Sequence, residues 1–350
     1  EYGIHGEHES NESDESDESD ESDEVNSDIS ESDSDKDDPK FSQFVELKEQ
    51  TKEESEFEIS KFKKEPGDKW IVKFMKSRKY DIVDNEGGGD CFFAVLRDGL
   101  KTLNKPEYKD ISVKQIRERL ADAITEEQFQ TYMETYNVIK EGHEVAGGKL
   151  GKLKKQHNMF KKLIGGTSSS SEKSSLLSDA KSNLSSIVST DSESKQYEEL
   201  MNEFRFMENV KTIDDLKRVI KTRDYWADAW ATSILEELYN VKFIILSKDH
   251  YDESQDENPM VLQCGEASKN LKERDIFEPD YYIIADYQMG IHYKLITYDR
   301  NINRGAFTFK ELPYKIKELV LNKCMERMSG PFSLIPEFRD FAKHHNAPIE

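Results

Sequence analysis

From Glu12 to Glu24 the chain repeats Glu-Ser-Asp, and residues 9–38 are almost entirely Glu, Ser and Asp. A segment with so little apolar surface cannot offset the entropy lost on ordering. Residues 1–40 are therefore read as a disordered acidic tail, and any packed core must come from the residues beyond it. Those 40 residues hold 18 Asp or Glu and 2 Lys, a net charge of −16. The whole chain carries −22, so the remainder lies near −6. A body that close to neutral gives no reason to expect nucleic-acid binding by counter-ion release, and an acidic tail would repel phosphates. The tail serines sit beside acidic residues, as acidophilic kinases prefer. A plain solvating tail accounts for the same composition, and its partner is left open.

The chain has three cysteines, Cys91, Cys264 and Cys324, with no CxxC pair. That odd count argues against a disulfide framework and against a zinc site, and for a reducing compartment such as the cytoplasm. No stretch approaches the ~20 apolar residues that span a bilayer. The chain opens on Glu1, not Met, and is expected to be a piece of a longer protein.

Order is expected from near Phe41. Pro66-Gly67-Asp68 marks a turn, and Trp70–Phe74 starts a short element. After Gly87-Gly88-Gly89-Asp90-Cys91, residues Phe93, Leu96, Leu100 and Leu103 fall on one face of a helix. Ser112 with Gln115 and Thr125 with Gln128 read as capping boxes. Residues 141–196, with their glycine pairs and serine run, read as a flexible insertion. Within it, residues 149–164 carry six lysines among apolar residues, either a basic amphipathic helix for an acidic partner or a merely solvated one. Thr212 with Asp215 caps a helix. Another spans 227–239 with Trp230, Ile234 and Leu238 on one face, ended by Asn240. Val241–Leu246 is a buried strand, 281–298 a hairpin, and 313–328 a last helix. The expected organisation is a folded body over 41–330 and a C-terminal extension over 331–350.

Cys91 ends a glycine run and opens a helix, and both features suit a nucleophile. Uncovered N–H groups of the turn, at Gly88, Gly89 and Asp90, can face a developing oxyanion. A helix N-terminus lowers a thiol pKa. A merely structural buried cysteine would leave the glycines without a purpose, and a phosphate-binding loop would need a Lys-Ser/Thr that is missing. Cys264 lies in a polar loop, and Cys324 on an apolar helix face. Of eight histidines, only His292 sits in an apolar strand, between Ile291 and Tyr293. It is the candidate base, although alone it reads as well as a half-buried structural histidine.

Gly87-Gly88-Gly89-Asp90-Cys91-Phe92-Phe93 resembles the signature of the ovarian-tumour (OTU) deubiquitinases, a GDGNC-type loop followed by Leu/Phe-Phe. Tyr225–Trp230 with the strand Val241–Leu246 is similar to that family's central Trp-containing helix and strand. His292-Tyr293 is similar to its catalytic His-aromatic pair. The three blocks occur in family order over roughly residues 70–300, excluding the 141–196 insertion. The GGGDCFF variant and the segment Phe309–Pro313 look most like OTU proteins of large DNA viruses. The resemblance implies an α/β, papain-like fold with a small central sheet between helices. It implies thiol-dependent hydrolysis of ubiquitin isopeptide bonds by Cys91 and His292, without metal or cofactor, in the cytoplasm (of a host cell if viral). Two positions depart from the family. Gly88 stands where an Asp is common, which keeps the N–H. Lys294 stands where an Asp or Asn orients the imidazole, and lysine cannot accept a hydrogen bond. Asp84 is the first candidate for the missing acid, with Asp68 and Asp286 behind it. A catalytically dead ubiquitin-binding module, and a scaffold acting through tail and insertion, are the alternatives.

Overall fold

The computed structural model of the chain describes residues 46–254, 259–299, 301–325 and 330–345. The acidic tail and the expected onset of order near Phe41 lie outside them. Thr51 opens α1 (Lys52–Lys61) through a reciprocal capping box with Glu54. α2 (Trp70–Met75) is buried on nearly every side and stops at a left-handed Lys76. β1 (Tyr80–Val83) leads to a 3-10 turn over Gly88–Asp90 and then to α3 (Cys91–Lys101). The apolar face predicted for α3 is buried through Phe93, Leu96, Leu100 and, just past its end, Leu103. α4 (Pro106–Lys109) is short, and α5 (Val113–Ala123) opens with the predicted Ser112–Gln115 box.

Residues 141–196 are not a flexible loop. They form most of a helical hairpin, α6 (Glu126–Gly166) and α7 (Ser170–Glu203). Covered positions recur every three or four residues: Ala146, Leu150, Leu153, His157, Phe160 and Ile164 on α6, and Leu176, Ala180, Asn183, Ile187, Thr190, Ser194 and Tyr197 on α7. That is the seam of an antiparallel coil. Lys149–Glu193 (4.0 Å) and Lys154–Asp191 (3.5 Å) bridge its flanks. The small and polar seam residues on α7 hide this period. The glycine pairs that read as breakers, at 147–148 and 165–166, face open space, where each glycine costs about 1 kcal/mol in propensity against Ala but interrupts no bond. Gly142 differs: a Cβ there would lie 2.3 Å from the Tyr197 ring, so its bareness lets the helices touch.

α8 (Ile213–Ile220) carries the Thr212–Asp215 box, and α9 (Ala229–Tyr239) ends on a left-handed Asn240 as expected. The buried face of α9 is Ala231, Leu235 and Tyr239, one residue on from the predicted Trp230, Ile234 and Leu238. β2 (Val241–Ser247) is buried throughout. α10 (Lys248–Ser254), β3 (Leu262–Gln263) and α11 (Lys269–Arg274) precede the predicted hairpin, β4 (Tyr281–Gln288) and β5 (His292–Tyr298). β6 (Ala306–Phe307) follows. α12 (Tyr314–Val320) runs into a wide turn over Leu321–Met325, and it is not the last helix, because α13 (Pro336–His344) comes after. Pro336 sits in the first turn of α13, where a missing N–H costs nothing. Residues 331–345 are no mere extension: Phe332, Ile335, Phe338 and Ala342 are core.

The fold is mixed α/β. The sheet runs β1-β5-β4-β2-β3, with β6 alongside β4. Among the described strands only β2 and β4 pair in parallel. Alternation along the strands feeds two cores. Phe243, Ile245, Ile283 and Ala285 face α3, α5, α9 and the hairpin base. Ile244, Leu246, Tyr282 and Ile284 face α2, α12 and α13. The sheet therefore lies between helices, as expected. One expectation from the cysteines fails: Cys264 and Cys324 are joined in a disulfide, and Cys91 is the free thiol. Spacing along the chain does not show that the loop after β3 meets the end of α12.

Candidate active site

The turn before Cys91 needs two of its glycines. Gly88 has φ +71°, a left-handed conformation that favours glycine. At Gly89 a Cβ would lie 2.0 Å from the Arg223 carbonyl oxygen. Gly87 has open space around it. The turn is held from behind by Arg117, whose Cζ lies over the Phe93 ring at 4.0 Å from its centre. Its guanidinium donates to Asp90 Oδ1 at 2.9 Å, Gly89 O at 2.7 Å, Ile220 O at 2.8 Å and Tyr225 O at 3.2 Å. Arg223 donates to the other Asp90 oxygen. Neither arginine was singled out from sequence. The available signal was a cation inside the Ile116–Leu120 face of α5.

Cys91 opens α3 and is 2% exposed. Its Sγ lies 3.8 Å from Ile291 O. The backbone N–H groups of Tyr293, Phe92 and Cys91 favour the thiolate, but burial is the larger effect and pushes the thiol pKa up. The expected depression by the helix N-terminus is therefore outweighed here. Cys91 N–H donates to Gly88 O, so it is not added to the Gly88, Gly89 and Asp90 N–H groups expected to face an oxyanion.

His292 is the first residue of β5, paired with Gln288, with a ring only 16% exposed. The thiol thus rests against the residues on either side of the predicted base. Asn85, unnoticed in the sequence, fastens the two halves. Its amide donates to Cys91 O at 3.3 Å and Tyr293 O at 2.9 Å, while its own buried Oδ1 has no hydrogen-bond partner among the described residues. Phe92 and Tyr293 pack edge-to-face at 4.9 Å beside this link.

Asp84, just past β1, is the acid that reaches the histidine: its Oδ1 is 3.9 Å from His292 Nε2 and 3.1 Å from Lys294 Nζ. The Lys294 ammonium, then the Asn85 N–H, lower its pKa. Asp68 is taken up by Arg78 at 3.2 Å and Glu65 N–H at 2.7 Å. Asp286 is 1% exposed and stands across the strands from Lys294, not from His292. Burial pushes its pKa to about 6, against the pull of Trp70, Lys294 and Lys248.

Cys91, Gly89, Gly290 and Ile291 line a cleft of about 1090 Å³, together with Trp226, the hairpin base Phe204–Phe206, and Gln263, Gly265 and Glu266. Asp228 N-caps α9 through Ala231 N–H and accepts from Tyr225 and Tyr132 hydroxyls, so the hairpin base is fastened to the cleft wall. Among the described residues no three His, Cys, Asp or Glu are grouped to hold a metal, and no helix is long and apolar enough to cross a membrane.

No protein-family model matches the chain, and no curated protein matches it. Among solved structures, an ovarian tumour (OTU) domain in complex with ubiquitin is similar at 13% identity and a TM-score of 0.29. The match covers 69% of this chain and 81% of that one. At that likeness no residue correspondence is drawn.

Proposed function

We propose that the chain is a cysteine hydrolase of the OTU type that cleaves isopeptide bonds between the ubiquitin C-terminus and lysine. The observation that carries this reading is Cys91, at the head of α3, set against the backbone on both sides of His292 at the edge of an open cleft. His292 takes the thiol proton, and the thiolate attacks the glycine carbonyl. N–H groups of the Gly88–Asp90 turn hold the oxyanion. The imidazolium protonates the departing lysine amine, leaving a thioester. Water, deprotonated by His292, then releases the ubiquitin carboxylate and returns the proton to sulfur. Gly290 leaves bare backbone on the cleft beside Cys91, which suits a substrate ending in glycine. On this reading the enzyme works in the cytoplasm, where glutathione keeps Cys91 reduced. The Cys264–Cys324 bond is the observation that pulls against that location.

A second reading, a silent ubiquitin-binding module, is favoured by the buried thiol with its raised pKa. Ubiquitin carrying a C-terminal thiol-reactive warhead separates the two. An adduct lost in Cys91→Ala and weakened in His292→Ala supports the enzyme. A folded wild type that binds ubiquitin without forming an adduct supports the module.

A further inference from the structure

Lys294 occupies the strand position from which a side chain reaches His292, two residues along the same face of β5. A cation there would by itself oppose the imidazolium. Its surroundings reverse that effect. Lys294 Nζ lies 3.1 Å from Asp84 Oδ1, the same oxygen that lies 3.9 Å from His292 Nε2. Asp84 is 75% exposed at its side chain, and besides this ammonium it accepts, among the described residues, its neighbour's N–H, Asn85 N at 3.1 Å. An exposed carboxylate so lightly held would sample many rotamers. Lys294 is itself only 22% exposed. Behind it, across the strand pair, stands the buried Asp286, whose other charged neighbours are Lys248 and Asp249. The four groups alternate in sign: Asp286, Lys294, Asp84, then the imidazolium.

We propose that Lys294 is a positioning residue that anchors Asp84 within reach of His292, so that an exposed acid does the work a strand-borne acid would otherwise do. This rests on the Cys91–His292 hydrolase reading. It accounts for a lysine that otherwise argues against catalysis, and it makes Lys294 act through Asp84 alone.

Non-additivity between the two residues is the test. Wild type, Lys294→Met, Asp84→Asn and the double variant are compared on ubiquitin bearing a C-terminal fluorogenic amide, with urea midpoints confirming that all four fold. The expected result is a fall in kcat on the order of tenfold or more for Lys294→Met, at unchanged KM, with most of it restored by Lys294→Arg. In the Asp84→Asn background, Lys294→Met should cost nothing further. Additive losses, an effect confined to KM, or an unchanged kcat would overturn the proposal. The rate of Cys91 alkylation by iodoacetamide at neutral pH is measured in the same proteins, because it reports the thiolate without a substrate. If wild type leaves the ubiquitin amide intact but alkylation shows the same non-additive pattern, ubiquitin fails as substrate and Lys294 keeps its role. Equal alkylation in all four, on that inactive background, would sink the positioning role.

Discussion

Replacing Arg117 with Met keeps the apolar stem and removes the guanidinium that braces the turn. The guanidinium is 3% exposed and its partner Asp90 10%. The variant leaves the carbonyls of Gly89, Ile220 and Tyr225 and one oxygen of Asp90 without their donors. Breaking a buried pair from one side costs about 3–5 kcal/mol. Arg223 still reaches Asp90 from the solvent side, so the lower half of that range is expected, about 3 kcal/mol. Urea unfolding measures it, and against a typical total of ~5–15 kcal/mol the variant should still fold. The warhead-ubiquitin probe supplies the second reading. Gly89 O is one of the orphaned acceptors, so the turn should loosen and adduct formation should slow more than the stability loss alone explains. A loss under about 1 kcal/mol with undiminished labelling would refute the idea that Arg117 sets the turn.

Gly89→Ala should abolish labelling of Cys91, since its Cβ would meet the Arg223 carbonyl at 2.0 Å; full reactivity would show that the turn has slack. Asn85→Ala should slow labelling while costing about 1–2 kcal/mol, because the link between Cys91 O and Tyr293 O is lost. Unchanged labelling kinetics would make that link structural only. Asp286 has a folded pKa of about 6, above the 3.8 of an unperturbed Asp. The folded state therefore binds the extra proton, and stability falls as pH rises from about 4 to 6. Asp286→Asn should flatten that slope and add up to ~3 kcal/mol at pH 7, read from chemical melts across that window; a slope unchanged by the substitution would mean the carboxyl is not buried as described. Gly142→Val should melt the hairpin seam against Tyr197, seen as faster amide exchange in α6 and α7, and normal protection there would contradict the packing.

Much of the fold was legible because its signals are local. The α3 stripe, the Ser112 and Thr212 caps, Asn240 and the apolar run of β2 are short-range patterns, and the β4–β5 hairpin joins strands that are neighbours in the chain. The α9 face slipped by one residue because Trp230 and Ile234, though large, are only partly covered at the margin of the core, while Ala231 and Leu235 enter it. The hairpin was missed because glycine and serine carry strong breaker signals, whereas a coil seam tolerates Ala, Asn and Thr when its partner helix supplies bulk. At the site, Cys91 and His292 stood out by chemistry and context. Asn85, Arg117 and Arg223 did not, because each has a partner far along the chain, Tyr293 at 208 residues, Asp90 at 27 and Asp90 at 133, and only the folded chain brings them together. The disulfide was invisible for the same reason.

The hairpin also settles a matter of chain length. Two halves of the site, one before residue 120 and one after 220, have to find each other, and a loose connection between them would exact a closure entropy that grows with its length. The arm avoids this. Its outgoing and returning helices meet again at Gly142 and Tyr197, so everything beyond that point leaves and returns to one place. For the search that joins Cys91 to His292, the residues between 142 and 197 scarcely count, and the arm is free to lengthen or shorten in whole heptads while the halves of the site stay equally close.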